Sequence, residues 1–205
     1  MTSPLASLRK FAGPRPYRQR PRRLPMEQCE LCSVRLSSQH RHLLEMPTQK
    51  IICACDACAL RFQDVIEGRF KLIPRDALVL PDFKIMEKDW DNFSLPINLA
   101  FFFYSTPHQK VIAYYPSPAG ATESLLPLAA WDSLLKQNAA LGEMQADVEA
   151  LLVNRAGKAR DYFIAPIDKC YELVGTIRMH WRGLSGGEEV WRKIDEFFSQ
   201  LKGNA

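Results

Sequence analysis

A chain of 205 residues, of which 47% are hydrophobic and 24% charged, suits one ordinary globular domain or two small ones. It holds no run of 18 apolar residues, so a transmembrane helix is not expected. The formal net charge of +4 is unevenly placed, because residues 1–25 hold seven Arg and Lys and no acid. The rest of the chain, with 20 basic and 23 acidic residues, is mildly acidic.

Residues 1–25 predict a disordered tail, since five prolines oppose regular structure there. A cluster of arginines can also attract nucleic acid, an anionic membrane surface or an acidic partner. The tail has no apolar segment of the length that a secretory or twin-arginine export signal needs. We therefore expect a cytoplasmic protein. In that compartment, closely spaced cysteines indicate metal ligands before disulfides.

A cysteine-rich module follows at about 26–70. It contains the pairs Cys29-x2-Cys32 and Cys55-x2-Cys58, separated by 22 residues. Two such pairs supply the four thiolates of a tetrahedral zinc site, in a spacing slightly longer than the usual zinc ribbon. With all four positions filled by protein, one structural Zn²⁺ in a zinc-ribbon-like module is predicted.

Three further residues of the module are lesser candidates for metal ligands. Cys53 could replace Cys55, although the closer Cys-x2-Cys pair makes the better chelate, and a buried free cysteine is the alternative. His40 and His42 lie two apart, so they share a face if this segment is a strand. They could complete a Cys/His site, bind a second metal, or be polar residues on a hairpin surface, and the last interpretation is favoured.

Two alternatives use the same cysteines. Iron held by four thiolates, as in rubredoxin, would make the protein an electron carrier. Such sites usually place Gly after the second Cys of each pair, whereas Ser33 and Ala59 stand there, which counts against iron. A nuclease of the HNH type would need an Asn and a His downstream, and residues 55–68 supply neither.

The remainder, 84–205, follows a proline-marked connection at 72–83 and predicts a mixed domain. Apolar and aromatic runs at 99–105 and 110–116 predict a hairpin, and 150–154 with 161–165 would form another. The start of 146–157 suits a helix and its end a strand. Helices are predicted at 125–138, 168–183 and 185–203 from apolar residues at helical spacing, the second with Asp168 as its N-cap. The fold class is therefore α+β: an N-terminal zinc-ribbon-like module followed by a small antiparallel sheet packed with two or three helices.

The second domain shows no established catalytic motif. Cys170 lies near the predicted start of a helix, where a thiol pKa can fall, but no His is close in sequence. A buried structural cysteine is the favoured interpretation. Metalloprotease, nucleophile-elbow, kinase and phosphate-loop patterns are missing from the sequence. These observations favour a protein that is not an enzyme.

Eight strings occur in an order that resembles a bacterial family of unknown function, domain of unknown function number 5947. They are CELC, HRHLL, CACDACAL, INLAFFFYS, YYPSPAGATES, LLVNR, APIDKCYELVG and MHWRG. The resemblance covers about 27–202 and departs from the family at Ser33, where Gly is usual. The resemblance implies that the gene for this protein lies in a family often encoded beside nickel–iron hydrogenase genes. The family has no assigned activity.

These observations together predict a non-catalytic zinc-binding accessory protein that acts through protein–protein contacts. The resemblance directs that prediction to hydrogenase assembly or maturation, with hydrogenase subunits or maturation factors as partners. One alternative is an iron-binding electron carrier or a metallochaperone. Another is a nucleic-acid-binding protein that uses the basic tail together with the cysteine module.

Overall fold

The computed structural model describes residues 27–63, 68–124, 131–183 and 185–203. The predicted tail at 1–25 lies outside these residues. The fold is a mixed α+β structure with antiparallel sheets, as the sequence predicts. In the part of the chain that is described, no helix combines the length and the apolar character needed to cross a bilayer.

A three-stranded sheet organises the cysteine-rich module. Its strands are β1 (Arg41–Glu45), β2 (Lys50–Ala54) and β3 (Phe70–Leu72), in the order β2-β1-β3 and all antiparallel. The short helix α1 (Asp56–Phe62) follows β2 directly. Gln49, at φ 55°, takes the left-handed conformation that closes the tight β1–β2 turn.

The two faces of this sheet pack against different parts of the protein. Leu43 and Ile52, directly opposite each other, face a small core around the cysteines. Leu44 points the other way, into the main core of the protein, where Met46 and Ile51 join it. Because strand side chains alternate between the two faces of a sheet, the three-stranded sheet contacts both the small core and the main core. The predicted division into 26–70 and 84–205 remains a prediction.

A six-stranded antiparallel sheet forms the rest of the scaffold, in the order β4-β9-β8-β5-β6-β7. Its strands are β4 (Leu78–Val79), β5 (Leu99–Ser105), β6 (Lys110–Ser117), β7 (Gly120–Glu123), β8 (Glu149–Asn154) and β9 (Asp161–Pro166). Both predicted hairpins are confirmed, as β5 with β6 and β8 with β9. Within the ambiguous segment 146–157, residues Glu149–Asn154 form the strand β8.

Helices cover both faces of the larger sheet. They are α2 (Glu87–Asp91), α3 (Trp131–Gln137), α4 (Ile167–His180) and α5 (Gly187–Gly203), with a 3-10 helix at Ala139–Glu143. Only 131–137 of the predicted helix at 125–138 falls within a described helix. In β5, Phe101 and Phe103 pack toward α4 and α5, whereas Phe102 packs against Trp90 and Trp131 on the other side. Coverage on both faces explains the unbroken apolar run in β5.

The start of α4 differs from the sequence prediction. The helix begins at Ile167 with Pro166 as its N-cap, so Asp168 is not the cap but lies in the first turn. Proline suits this boundary because its fixed φ and missing N–H oppose continuation of the strand ladder. The Asp168 side chain is thereby free to contact the cysteine-rich module.

Stability should depend on the doubly covered strand β5. Phe101 is completely buried and Tyr104, on the same strand, is 40% exposed. We expect Phe101→Ala to lower the free energy of unfolding by about 3–5 kcal/mol, because it leaves a cavity in a packed core. Tyr104→Ala is the matched control and should cost far less. Chemical denaturation of the full chain measures both, and equal losses would contradict the assigned facing of β5.

Candidate metal centre

The two predicted cysteine pairs meet in space. Cys29 and Cys32 lie in the loop before β1, while Cys55 directly follows β2 and Cys58 lies in the first turn of α1. The four sulfurs all lie within 4.8 Å of one another. The β1–β2 hairpin is responsible, because it returns the chain to the first pair after the long separation in sequence. These four cysteines could therefore hold a metal ion.

The separation of the sulfurs fits metal binding better than disulfides. The Sγ atoms of Cys32 and Cys55 are 3.7 Å apart, and the described cysteines are all free thiols. Four sulfurs at the usual Zn–S distance form a tetrahedron with edges of about 3.8 Å. A disulfide would need about 2.0 Å. The Cys32–Cys55 separation thus matches an edge of such a tetrahedron, and the other sulfurs lie within 4.8 Å of one another.

The first cysteine pair sits in a tight turn that brings backbone N–H groups toward sulfur. The N–H of Ser33 donates to the carbonyl of Cys29 at 2.7 Å, and that of Cys29 donates to Val34 at 2.8 Å. Ser33 has φ 63°, the left-handed conformation that normally favours Gly. Serine therefore adopts the turn for which glycine was expected. The sequence argument against iron does not hold at this pair.

The second pair is built differently, on the start of a helix. Cys55 is the N-cap of α1, and its Sγ accepts a hydrogen bond from the N–H of Cys58 at 3.4 Å. Ala59 lies inside the helix and is buried. A helical residue needs no positive φ, so alanine fits at a position where a rubredoxin-like turn would require glycine. The two pairs thus hold sulfur by unlike backbone geometries.

Proton affinities within the cluster are unequal. Burial would raise the pKa of the Cys29 thiol, but hydrogen bonds from backbone N–H groups, that of Cys55 foremost, lower it to about 6. Burial raises the pKa of Cys58 well above normal, and its contact with Cys32 raises it further. For Cys32, the N–H of Val34 lowers the pKa, but the hydrogen bond to Cys29 produces a net rise. Without a cation, the sulfurs share protons that a bound metal would displace.

Cys53 does not belong to this cluster and forms a second one with the two histidines. His42 and Cys53 are direct partners across β1 and β2, and the ring of His40, just before β1, lies 4.8 Å from the ring of His42. One donor atom from each lies within 4.8 Å of the others. The side chains of His40 and His42 are only 8% and 27% exposed. The favoured sequence interpretation, polar residues on a hairpin surface, stays a prediction, although both side chains are less exposed than a hairpin surface requires.

The second cluster contacts the larger domain through His42. Its Nδ1 lies 2.6 Å from Oδ2 of Asp168, in the first turn of α4. His40 uses Nδ1 to contact the carbonyl of Ser37 at 3.0 Å. Sequence reasoning could not find the Asp168 contact, because it joins residues 126 positions apart. Only the His-x-His spacing hinted at the grouping.

Cys170 has the properties of a structural residue. It is completely buried on α4 and belongs to neither cluster, and burial raises its pKa far above normal. A thiol of that kind is protonated at neutral pH and is a poor nucleophile. The sequence preference for a buried structural cysteine is consistent with this environment.

The family-model match agrees with the resemblance found in the sequence. Residues 28–205 match the model described as "Family of unknown function (DUF5947)". The chain therefore belongs to that family, whose description states no activity. No curated protein matches the chain, and no solved structure matches it either.

Metal affinity of the four-cysteine cluster should fall steeply on acidification. The raised pKa values of Cys32 and Cys58 mean that both are protonated at neutral pH, so binding must release at least two protons. We expect Zn²⁺ affinity to change by about 100-fold or more per pH unit near neutrality, since each displaced proton contributes a factor of ten. Competition with a calibrated chelator, at several pH values from about 6.5 to about 8, would measure this change of affinity with pH. A change in affinity of only about tenfold per pH unit would contradict the release of two protons.

Proposed function

We propose that Cys29, Cys32, Cys55 and Cys58 bind one Zn²⁺ at a closed structural site, and that the protein is a non-catalytic accessory protein acting through protein–protein contacts. The observation that supports this most directly is the convergence of four sulfurs at separations typical of a tetrahedral site. Four protein ligands leave no coordination position for water or substrate. The metal would stabilise the zinc-ribbon-like module without taking part in a reaction.

The small core of the module explains why a metal would be needed. Its buried residues near the cysteines are few, namely Cys29, Leu43, Ile52, Ala54, Ala59 and Phe70. Such a core supplies little hydrophobic stabilisation to a segment with long loops. Structural zinc contributes roughly 10–16 kcal/mol of binding free energy in zinc-finger peptides. Metal binding would therefore determine whether the loop of the first pair keeps its shape.

Exposed apolar side chains beside both cysteine pairs support a contact surface. Val34 follows the first pair and is 49% exposed, and Leu60 follows the second and is 64% exposed. A metal between the pairs would fix both side chains in place. Fixed apolar side chains lose little conformational entropy on binding a partner. This surface, Val34 with Leu60, is the proposed protein-contact surface.

The partner in this proposal is a hydrogenase subunit or maturation factor. Its support is the resemblance described above, with its implied gene neighbourhood, rather than a feature of the fold. The exposed apolar surface is compatible with binding to an assembling protein, whose own apolar surface is still uncovered. The proposal would assign the module to holding a partner during hydrogenase assembly.

Zinc content tests the structural site. Cys55→Ser should lose the zinc of the four-cysteine cluster, because serine does not replace a thiolate ligand at a soft site. Cys170→Ser, which removes a cysteine outside the cluster, is the control and should keep it. Elemental analysis of purified proteins, with the thiolate-to-Co²⁺ absorption of cobalt-substituted samples, distinguishes the sites. Iron in the wild type, or four-thiolate absorption in Cys55→Ser, would contradict the zinc assignment.

Co-purification with hydrogenase subunits and maturation factors tests the partner. Leu60→Glu should abolish co-purification, because a charge would be buried in the proposed contact. Met179→Glu is a matched control, since Met179 on α4 is also 64% exposed. Wild-type protein that accompanies none of these proteins, or equal effects of the two variants, would contradict the proposed partner or its surface.

A further inference from the structure

We propose that His40, His42 and Cys53 form a second metal site, distinct from the four-cysteine cluster and suited to one transition-metal ion such as Zn²⁺. This inference goes beyond the proposed function and does not depend on it. The donor atoms of the three residues lie within 4.8 Å of one another. His42 and Cys53 come from two paired strands, so the backbone sets their positions, and His40 lies directly before β1.

The strand pairing places two of the three donors, His42 and Cys53, on one side of the sheet. His42 and Cys53 face each other across β1 and β2 in the antiparallel ladder. Directly opposite residues have neighbouring side chains on the same face. Cys55, by contrast, lies beyond the end of β2 and joins the four-cysteine cluster. Cys53 and Cys55 are therefore assigned to separate sites by the fold.

His40 presents a buried nitrogen that lacks a partner. Its side chain is 92% buried, and among the described residues its Nε2 finds no hydrogen-bonding group. Nδ1 is already engaged by the carbonyl of Ser37, which can only accept. The ring is thus the Nδ1–H tautomer, with a lone pair on Nε2. A buried acceptor left unpaired is unfavourable, and a metal ion would satisfy it.

His42 carries the hydrogen-bonding pattern of a metal ligand. Its Nδ1 contacts the Asp168 carboxylate at 2.6 Å, and Asp168 is itself mostly buried at the first turn of α4. A carboxylate that binds one ring nitrogen fixes the ring orientation and makes the other nitrogen a better donor. Asp168 is therefore a positioning residue, which acts on the metal through His42. Its negative charge also offsets the charge of a cation bound to a single thiolate.

The donor set selects the class of ion. Two imidazoles and one thiolate suit Zn²⁺ and related borderline or soft ions, whereas Mg²⁺ and Ca²⁺ prefer oxygen ligands. In the described part of the chain, three donors converge here and four converge on the other cluster. Three protein ligands leave a fourth position for water or another small ligand. This is the chemical difference between the two sites.

Metal counting on the full chain tests the proposal. Metal-free protein is titrated anaerobically with Co²⁺ and then with Zn²⁺, and the metal retained after desalting is measured. We expect two ions per chain in the wild type. Cobalt absorption separates the sites, because four thiolates give much stronger charge-transfer absorption than one. A wild type that retains a single ion with four-thiolate absorption would overturn the proposal.

Variants then assign the second ion to its ligands. Cys53→Ala and His40→Ala should each retain one ion with intact four-thiolate absorption, which also shows that the module is folded. His108→Ala is the control, since His108 is exposed and contacts Ser105 instead, and it should retain two. Two ions in both Cys53→Ala and His40→Ala would overturn the assignment.

Asp168→Asn addresses the case in which the larger substitutions prevent folding. It keeps the size of the side chain and removes the charge, and it should weaken binding of the second ion by about 10–100-fold, as measured by chelator competition. Unchanged affinity in Asp168→Asn would contradict the role of Asp168, and together with two retained ions in Cys53→Ala it would overturn the site. The proposed function fails by a different result, namely cobalt-loaded wild-type protein that lacks the four-thiolate absorption.

Discussion

The antiparallel pairing of β1 with β2 is the interaction on which both candidate metal sites depend. It returns Cys55 and Cys58 to the loop that carries Cys29 and Cys32, and it places His42 opposite Cys53. Strand geometry alone sends alternate side chains to opposite faces. One short hairpin thereby separates a four-sulfur cluster at its end from a mixed cluster on its face.

The cysteine-rich module is fixed to the larger domain by polar contacts as well as by a shared core. The buried carboxylate of Asp147 accepts hydrogen bonds from Lys71 on β3 and from the backbone N–H of Thr106 after β5. Asp168 on α4 contacts His42 on β1. Because buried charges need partners, these contacts define how the small sheet sits on the large one. The mixed cluster lies at this junction.

Local patterns in the sequence were sufficient for much of the fold. Alternation and turn residues predicted both hairpins of the large sheet, and apolar spacing predicted α4 and α5. The sequence did not reveal the two-residue strand β4, because a strand that short has no periodicity of its own. The sequence placed the N-cap of α4 at Asp168, although the helix begins at Ile167. The Cys-x2-Cys pairs were visible because their chelating geometry is local. The mixed cluster depends on strand register and on a contact between residues 126 positions apart, which single-sequence patterns do not contain.

Glu30, between the cysteines of the first pair, bridges that loop to β2. Its carboxylate accepts from the N–H of Cys53 and contacts Lys50, and its own N–H donates to the carbonyl of Cys53. A slip of β2 by one residue would break these bonds and turn Cys53 to the opposite face. Closing the four-sulfur cluster would hold Glu30 in place and so prevent such a slip. The two sites would then fill in a fixed order, because an ion bound at the four-cysteine cluster would select the strand register that the mixed cluster requires.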